Sequence, residues 1–126
     1  MRAVGVDLGS ARVGVAVSDP GGVLASPHTV LRRGRTHAED HRALATIVTE
    51  VNAGVVIVGM PLSLDGSAGP AARAVEVEVE ELRAALDVPV EVYDERFTSV
   101  LAGGDDARAA AHLLTSYLQW AGVRER

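Results

Sequence analysis

Val55-Val56-Ile57-Val58 is a run of four β-branched residues with no polar position among them. A strand with one wet face alternates, so a short continuous run of this kind predicts a strand covered on both faces. Upstream, Thr36-His37-Ala38-Glu39 has capping-box spacing, and Leu44, Ile47, Val48 and Val51 follow at helical intervals until Asn52-Ala53-Gly54. Downstream, Gly59-Met60-Pro61 breaks the run and a polar, Gly-rich loop leads to Gly69. Pro70 opens a second helix whose inner face is Val75, Val79, Leu82 and Leu86. Val90 to Tyr93 predicts another short strand. A last helix from about Asp106 to Trp120 carries the stripe Ala109, Ala110, Leu113, Leu114, Tyr117 and Leu118. Before all of these, Ala3 to Leu8, Arg12 to Ser18 and Val23 to Leu31 read as three strands of a meander, with a turn at Asp19-Pro20-Gly21-Gly22 and an interruption at Pro27. The order β-β-β-α-β-α-β-α predicts an α/β fold in which the later strands are parallel and joined by right-handed crossovers.

A length of 126 residues suits one domain, spanning 1–126, with a core large enough to need no staples. Aromatics are 3% of the chain, so Val, Leu, Ile and Ala must build that core. The absence of cysteine excludes disulfides, thiolate metal sites and a cysteine nucleophile. No apolar run approaches the roughly 18 residues of a membrane span, and the expectation is a soluble, cytoplasmic protein with no membrane partner. The net charge is −5, and all twelve basic residues are arginine. That balance argues against nucleic acid, whose phosphates call for a basic face. Clustered carboxylates of a metal site would lower the net charge, however, and Arg32, Arg33 and Arg35 form a local basic group, either a solvated loop or a phosphate-facing patch.

In open α/β sheets, ligand sites gather at the carboxyl ends of the parallel strands. Asp7 ends the first strand, Asp94 and Glu95 end the last, and Asp106 opens the final helix. Each has an ordinary structural alternative: a turn residue, a solvated strand end, a helix cap. Three such placements at one edge would nonetheless make a carboxylate cluster, which calls for a cation such as Mg²⁺. A pair of such ions can activate water against a phosphodiester. Gly59 and Pro61 lie in the loop expected at the same edge, and Thr98 and Ser99 could donate to a phosphate or close a local turn. His28 and His112 have no metal-ligand spacing.

Four segments together resemble one family. These are Val6-Asp7-Leu8-Gly9-Ser10-Ala11-Arg12-Val13-Gly14-Val15-Ala16, Val58-Gly59-Met60-Pro61-Leu62-Ser63-Leu64-Asp65-Gly66-Ser67, Asp94-Glu95-Arg96-Phe97-Thr98-Ser99, and the helix from Asp106 to Leu118. In that order they resemble the YqgF/RuvX family of pre-16S rRNA nucleases, also described as Holliday-junction resolvase-like. The resemblance implies a ribonuclease H-like fold, a five-stranded mixed sheet of order 3-2-1-4-5 flanked by helices. It implies a hydrolase that cuts phosphodiesters with Mg²⁺ or Mn²⁺, on pre-rRNA or branched DNA, and it allows a homodimer. By motif match the metal-binding and catalytic acids fall on Asp7, Glu95 and Asp106, with Asp94 or Asp105 as the one-residue alternatives. Arg12, Arg96, Thr98 and Ser99, with Gly59 and Pro61, would face the substrate.

The chain departs from the family pattern between Ser99 and Asp106, where a further helix and a basic loop are usual and only six residues stand. Ten residues separate Glu95 from Asp106, and they reach at most ~36 Å extended, so the acids can still meet. The short segment leaves a second reading open, a binding module for nucleic acid or ribosome assembly that does not cut. A third rests on Asp7-Leu8-Gly9-Ser10, which resembles the phosphate loop of actin-like ATPases; those enclose ATP between two such domains, and this chain has room for one.

Overall fold

The structure is a computed structural model that describes residues 1–62, 66–94 and 106–124, with side chains of the last helix through Gln119. Three strands open the chain: β1 (Arg2–Leu8), β2 (Arg12–Ser18) and β3 (Ala25–Arg32). Helix α1 (His37–Glu50), strand β4 (Ala53–Met60), helix α2 (Pro70–Ala85), strand β5 (Val90–Asp94) and helix α3 (Asp106–Arg124) follow. The sheet order is β3-β2-β1-β4-β5. Strands β1, β2 and β3 pair antiparallel, whereas β1, β4 and β5 run parallel. Element order, sheet order and strand directions agree with the expectation drawn from the sequence.

Local chemistry accounts for most boundaries. Thr36 caps α1, its hydroxyl accepting from the Glu39 amide at 3.2 Å. The Glu39 carboxylate closes the return half of the box one residue early, on the Arg35 amide at 2.9 Å. Asn52 takes the left-handed conformation (φ 55°) that lets α1 turn directly into β4. Pro70 stands at the first turn of α2, where its missing N–H costs nothing. At the β2–β3 turn the Asp19 carboxylate accepts from the Leu24 and Val23 amides at 2.8 and 2.7 Å, and these bonds hold its pKa below the usual carboxylate value. Pro27 shifts the register between Val15 and Ala16, and because β3 is an edge strand the lost donor faces no partner. Several boundaries differ from the sequence reading: β3 begins at Ala25 rather than Val23, β4 at Ala53 rather than Val55, and α3 runs on to Arg124. Gly59 and Met60 remain in β4, paired with Tyr93 and Asp94, so the break falls at Pro61.

The sheet separates two apolar clusters. On one face Val4, Val6, Val13, Val15, Val56 and Val58 pack with the inner stripes of α1 and α2. On the other, Ala3, Ala16, Val55 and Ile57 receive Ala110, Leu113 and Leu114 of α3. Helices on both faces explain why β4 reads as an unbroken β-branched run.

The first face also buries charge. Glu78 of α2 is 3% exposed and Asp40 of α1 is 7% exposed. Arg33 binds Glu78 with both terminal nitrogens, at 2.6 and 2.7 Å, and reaches Asp40 at 3.0 Å. Its Nε donates to the Gly9 carbonyl at 2.9 Å, which ties the β1–β2 turn to both helices. A buried carboxylate that loses its cation is strongly destabilising. Arg33→Ala should therefore lower the unfolding free energy by about 3–5 kcal/mol in urea titration; a change below about 1 kcal/mol would mean that Glu78 is solvated without it.

Candidate metal centre

The register places Asp7 at the mouth of the sheet. Val6 is level with Val58, and Val58 with Val92, so Asp7, one residue before the end of β1, stands at the height of Gly59 and Tyr93. Alternation fixes its face. Ala3 and Gly5 of β1 lie under α3, whereas Val4 and Val6 lie under α1 and α2. Asp7 shares the parity of Ala3 and Gly5 and therefore belongs to the α3 side.

Two glycines bring α3 down onto that side. A Cβ on Gly5 would stand 2.9 Å from the Leu114 Cβ. One on Gly14 would stand 2.0 Å from the Asp106 carbonyl oxygen, where no side chain fits. Gly14 is the cross-strand partner of Asp7. The first residue of α3 thus rests on the β2 position beside Asp7, and the fold brings the two acids together.

The electrostatics follow from that approach. Burial first, and the Asp106 carboxylate second, push the Asp7 pKa up to about 6. Asp106 sits in the first turn of its helix, where the helix dipole favours negative charge. The Arg12 Nε lies 3.0 Å from its Oδ2. The Arg12 side chain is 61% exposed, so this pair adds at most about 1 kcal/mol of stability, but it sets a guanidinium beside the carboxylates. Two carboxylates forced together, one of them burdened by its own charge, fit a cation. Their hard oxygen donors suit Mg²⁺ or Mn²⁺.

The structure brings together Asp7, Asp106 and Arg12 among the candidate residues. Gly59 is a buried member of β4 at the same height as Asp7, and Pro61 follows the end of that strand. Glu95, Arg96, Thr98, Ser99 and Asp105 lie outside the described residues. Asp94 ends β5 level with Met60. The sequence reading missed Gly14, although a glycine inside an apolar strand is the usual signal of a close backbone approach. It also left open which way the arginine cluster turns. Arg33 turns inward, and Arg32 and Arg35 are exposed.

This sheet order, with helices on both faces and the acids at the β1 end, defines a ribonuclease H-like fold. A family model described as "RuvX: Holliday junction resolvase" matches residues 1–120, and the chain belongs to that family. A relative from Mycobacterium sp. (strain KMS) is 47% identical over 102 residues, covering 80% of this chain and 60% of its own length. One from Anaeromyxobacter dehalogenans (strain 2CP-C) is 40% identical over 136 aligned positions, covering 94% of this chain and 96% of its own. Both are named "Putative pre-16S rRNA nuclease". The chain thus spans about 60% of the length of the mycobacterial relative. The second alignment is longer than the chain's 126 residues, so that relative has at least ten positions with no counterpart here. Among solved structures, Thermus thermophilus RuvC in complex with a Holliday junction substrate matches with a TM-score of 0.56 at 17% identity, over 97% of this chain and 96% of that one, a likeness of fold.

Two outcomes test the geometry. Gly14→Ala should displace the start of α3 and destabilise the protein by about 1–3 kcal/mol, the usual range for overpacking; a crystal structure of the variant with Asp106 unmoved would refute the close approach. The second concerns the metal-free protein. Above pH 6 Asp7 is ionised at a position that penalises its charge. As the pH falls through about 6, the native state takes up a proton that the unfolded chain, with its ordinary carboxylate value of 3.8, does not yet bind. The cost of the charge is relieved over that window. In EDTA, Asp7→Asn should be more stable than wild type at about pH 8 and lose that advantage by about pH 4, read from urea midpoints. A difference independent of pH would contradict the raised pKa.

Proposed function

We propose that this protein is a metal-dependent nuclease that hydrolyses phosphodiester bonds in structured RNA, with the ends of pre-16S rRNA as substrate, in the cytoplasm. The observation that carries the proposal is the pairing of Asp7 with Asp106 at the carboxyl end of β1, beside Arg12. Two carboxylates held together repel unless a cation lies between them, so the pair argues for a bound ion. The names of the relatives supply the substrate class.

Asp7, Asp106 and Glu95 would hold a divalent cation, whose chemistry when bound is to generate hydroxide near neutral pH and to stabilise the leaving oxygen of a phosphodiester. The family motif favours Glu95 over Asp94 as the third acid. Glu91 meets Tyr117 of α3 through a hydrogen bond, and Tyr93 meets the same ring edge-on, so the odd positions of β5 belong to the α3 side. Asp94, the last residue of β5, has the opposite parity. Arg12, mostly exposed and already held by Asp106, is placed to bind a phosphate oxygen and offset charge built up in the transition state. Arg96, Thr98 and Ser99 would add donors to the same phosphate, with Gly59 and Pro61 bounding the floor of the site.

A second reading, cleavage of branched DNA, is favoured by the family's description as a Holliday junction resolvase. The assay that decides incubates wild type and Asp7→Asn with pre-16S rRNA and with four-way DNA junctions, in Mg²⁺ or Mn²⁺ and in EDTA. Cleavage of the RNA should require metal and fall at least 10²-fold in the variant, the usual scale for losing one electrostatic contributor. Equal cleavage by both proteins would exclude the site. Binding that persists in EDTA with no product from wild type would make the protein a binding module.

A further inference from the structure

His37 and His41 lie four residues apart on one face of α1, and Glu78 of α2 stands opposite. One donor atom from each falls within 4.8 Å of the other two. The His41 Nε2 is 2.8 Å from the Glu78 Oε2, and the His37 Nε2 is 4.0 Å from the Glu78 Oε1. The other nitrogen of His37, Nδ1, is 2.8 Å from the Glu81 carboxylate. A carboxylate that accepts from Nδ1–H fixes the tautomer that leaves the Nε2 lone pair free, and orients the ring, as outer partners of metal-binding histidines do.

We propose that His37, His41 and Glu78 form a second metal site, distinct from the acidic pair at Asp7, that binds a first-row transition dication of the Zn²⁺ class and clamps α1 to α2. Four features argue for it. Two imidazoles and one carboxylate form a donor set suited to zinc, and imidazole nitrogen selects against Mg²⁺. The carboxylates of Asp40, Glu78 and Glu81 exceed the Arg33 guanidinium by two charges when both imidazoles are neutral, a deficit that a dication cancels. Arg33 grips both Glu78 oxygens yet uses only one lone pair on each, so Oε1 keeps acceptor capacity on the side facing His37. A cavity of about 420 Å³, lined by Gly9, Ser10, Arg35 and His37 among others, gives an ion a path to Glu78. Zn²⁺–ligand bonds of roughly 2.0–2.2 Å need donors about 3.3 Å apart. His41 is already close to Glu78, and the His37 side chain, 49% exposed, has room to swing inward.

The site does not depend on nuclease activity, so its test removes the acidic centre. The full chain carrying Asp7→Asn is titrated with Co²⁺ and followed by visible absorption. One Co²⁺ per chain should give the intense d–d bands of a low-coordinate site, Zn²⁺ should bleach them, and Mg²⁺ should not. His37→Ala in the same background should abolish the bands. Its urea midpoint without metal should stay close to that of the parent, because the side chain is half exposed. Glu81→Gln should weaken Co²⁺ about 10–100-fold, the scale of losing an outer-shell partner. Two results would overturn the site: no bands in the parent protein, which would leave His37 bridging Glu78 and Glu81 as a protonated imidazole, or bands that survive His37→Ala, which would place the ion on other ligands.

Discussion

The repulsion between Asp7 and Asp106 is the constraint around which this structure is arranged. Neither carboxylate gains from the other, and burial makes the encounter worse for Asp7. The approach is enforced by elements that have no charge at all. Ala110, Leu113 and Leu114 bind α3 to the sheet, and Gly5 and Gly14 remove the side chains that would hold the helix off. Apolar packing thus supplies the free energy that keeps two like charges at one edge, and a cation would return part of it.

The opposite face solves a different electrostatic problem. There the charges are mixed in sign and nearly dry. Arg33 joins Asp40 of α1 to Glu78 of α2, and its Nε holds the Gly9 carbonyl in the turn just after Asp7. Burial alone would raise the Glu78 pKa, but hydrogen bonds from Arg33 and His41 more than compensate, and the carboxyl stays below its usual value. One face therefore carries a pair of like charges and the other a network of both signs, with β1 between them touching both.

Much of this fold was legible in the sequence because it rests on period and punctuation. The run Val55 to Val58 announces a doubly covered strand, Pro70 a helix start, and Asn52 a helix end. What escaped depends on partners distant in the chain. The apolar stripe of α1 continues backward into Asp40 and His41, and nothing local says that Arg33 and Glu78 make burial of those residues tolerable. The strand-end acids were visible as candidates. The choice of Glu95 over Asp94 came from motif resemblance, and Glu95 lies outside the described residues. Gly14 shows the reverse case, a residue whose identity carried the clue and whose meaning needed the helix above it.

Asp7 stands on β1 and Asp106 opens α3, so Asp7 is made well before its partner. Synthesis runs from the amino terminus, and strands β1, β2 and β3 with α1 and α2 can pair before α3 exists. Until that helix is released and settles over Gly5 and Gly14, the mouth of the sheet holds Asp7 without its rival charge. The acid pair therefore forms late: a chain made only as far as α2 can own most of the hydrophobic core and still lack the centre.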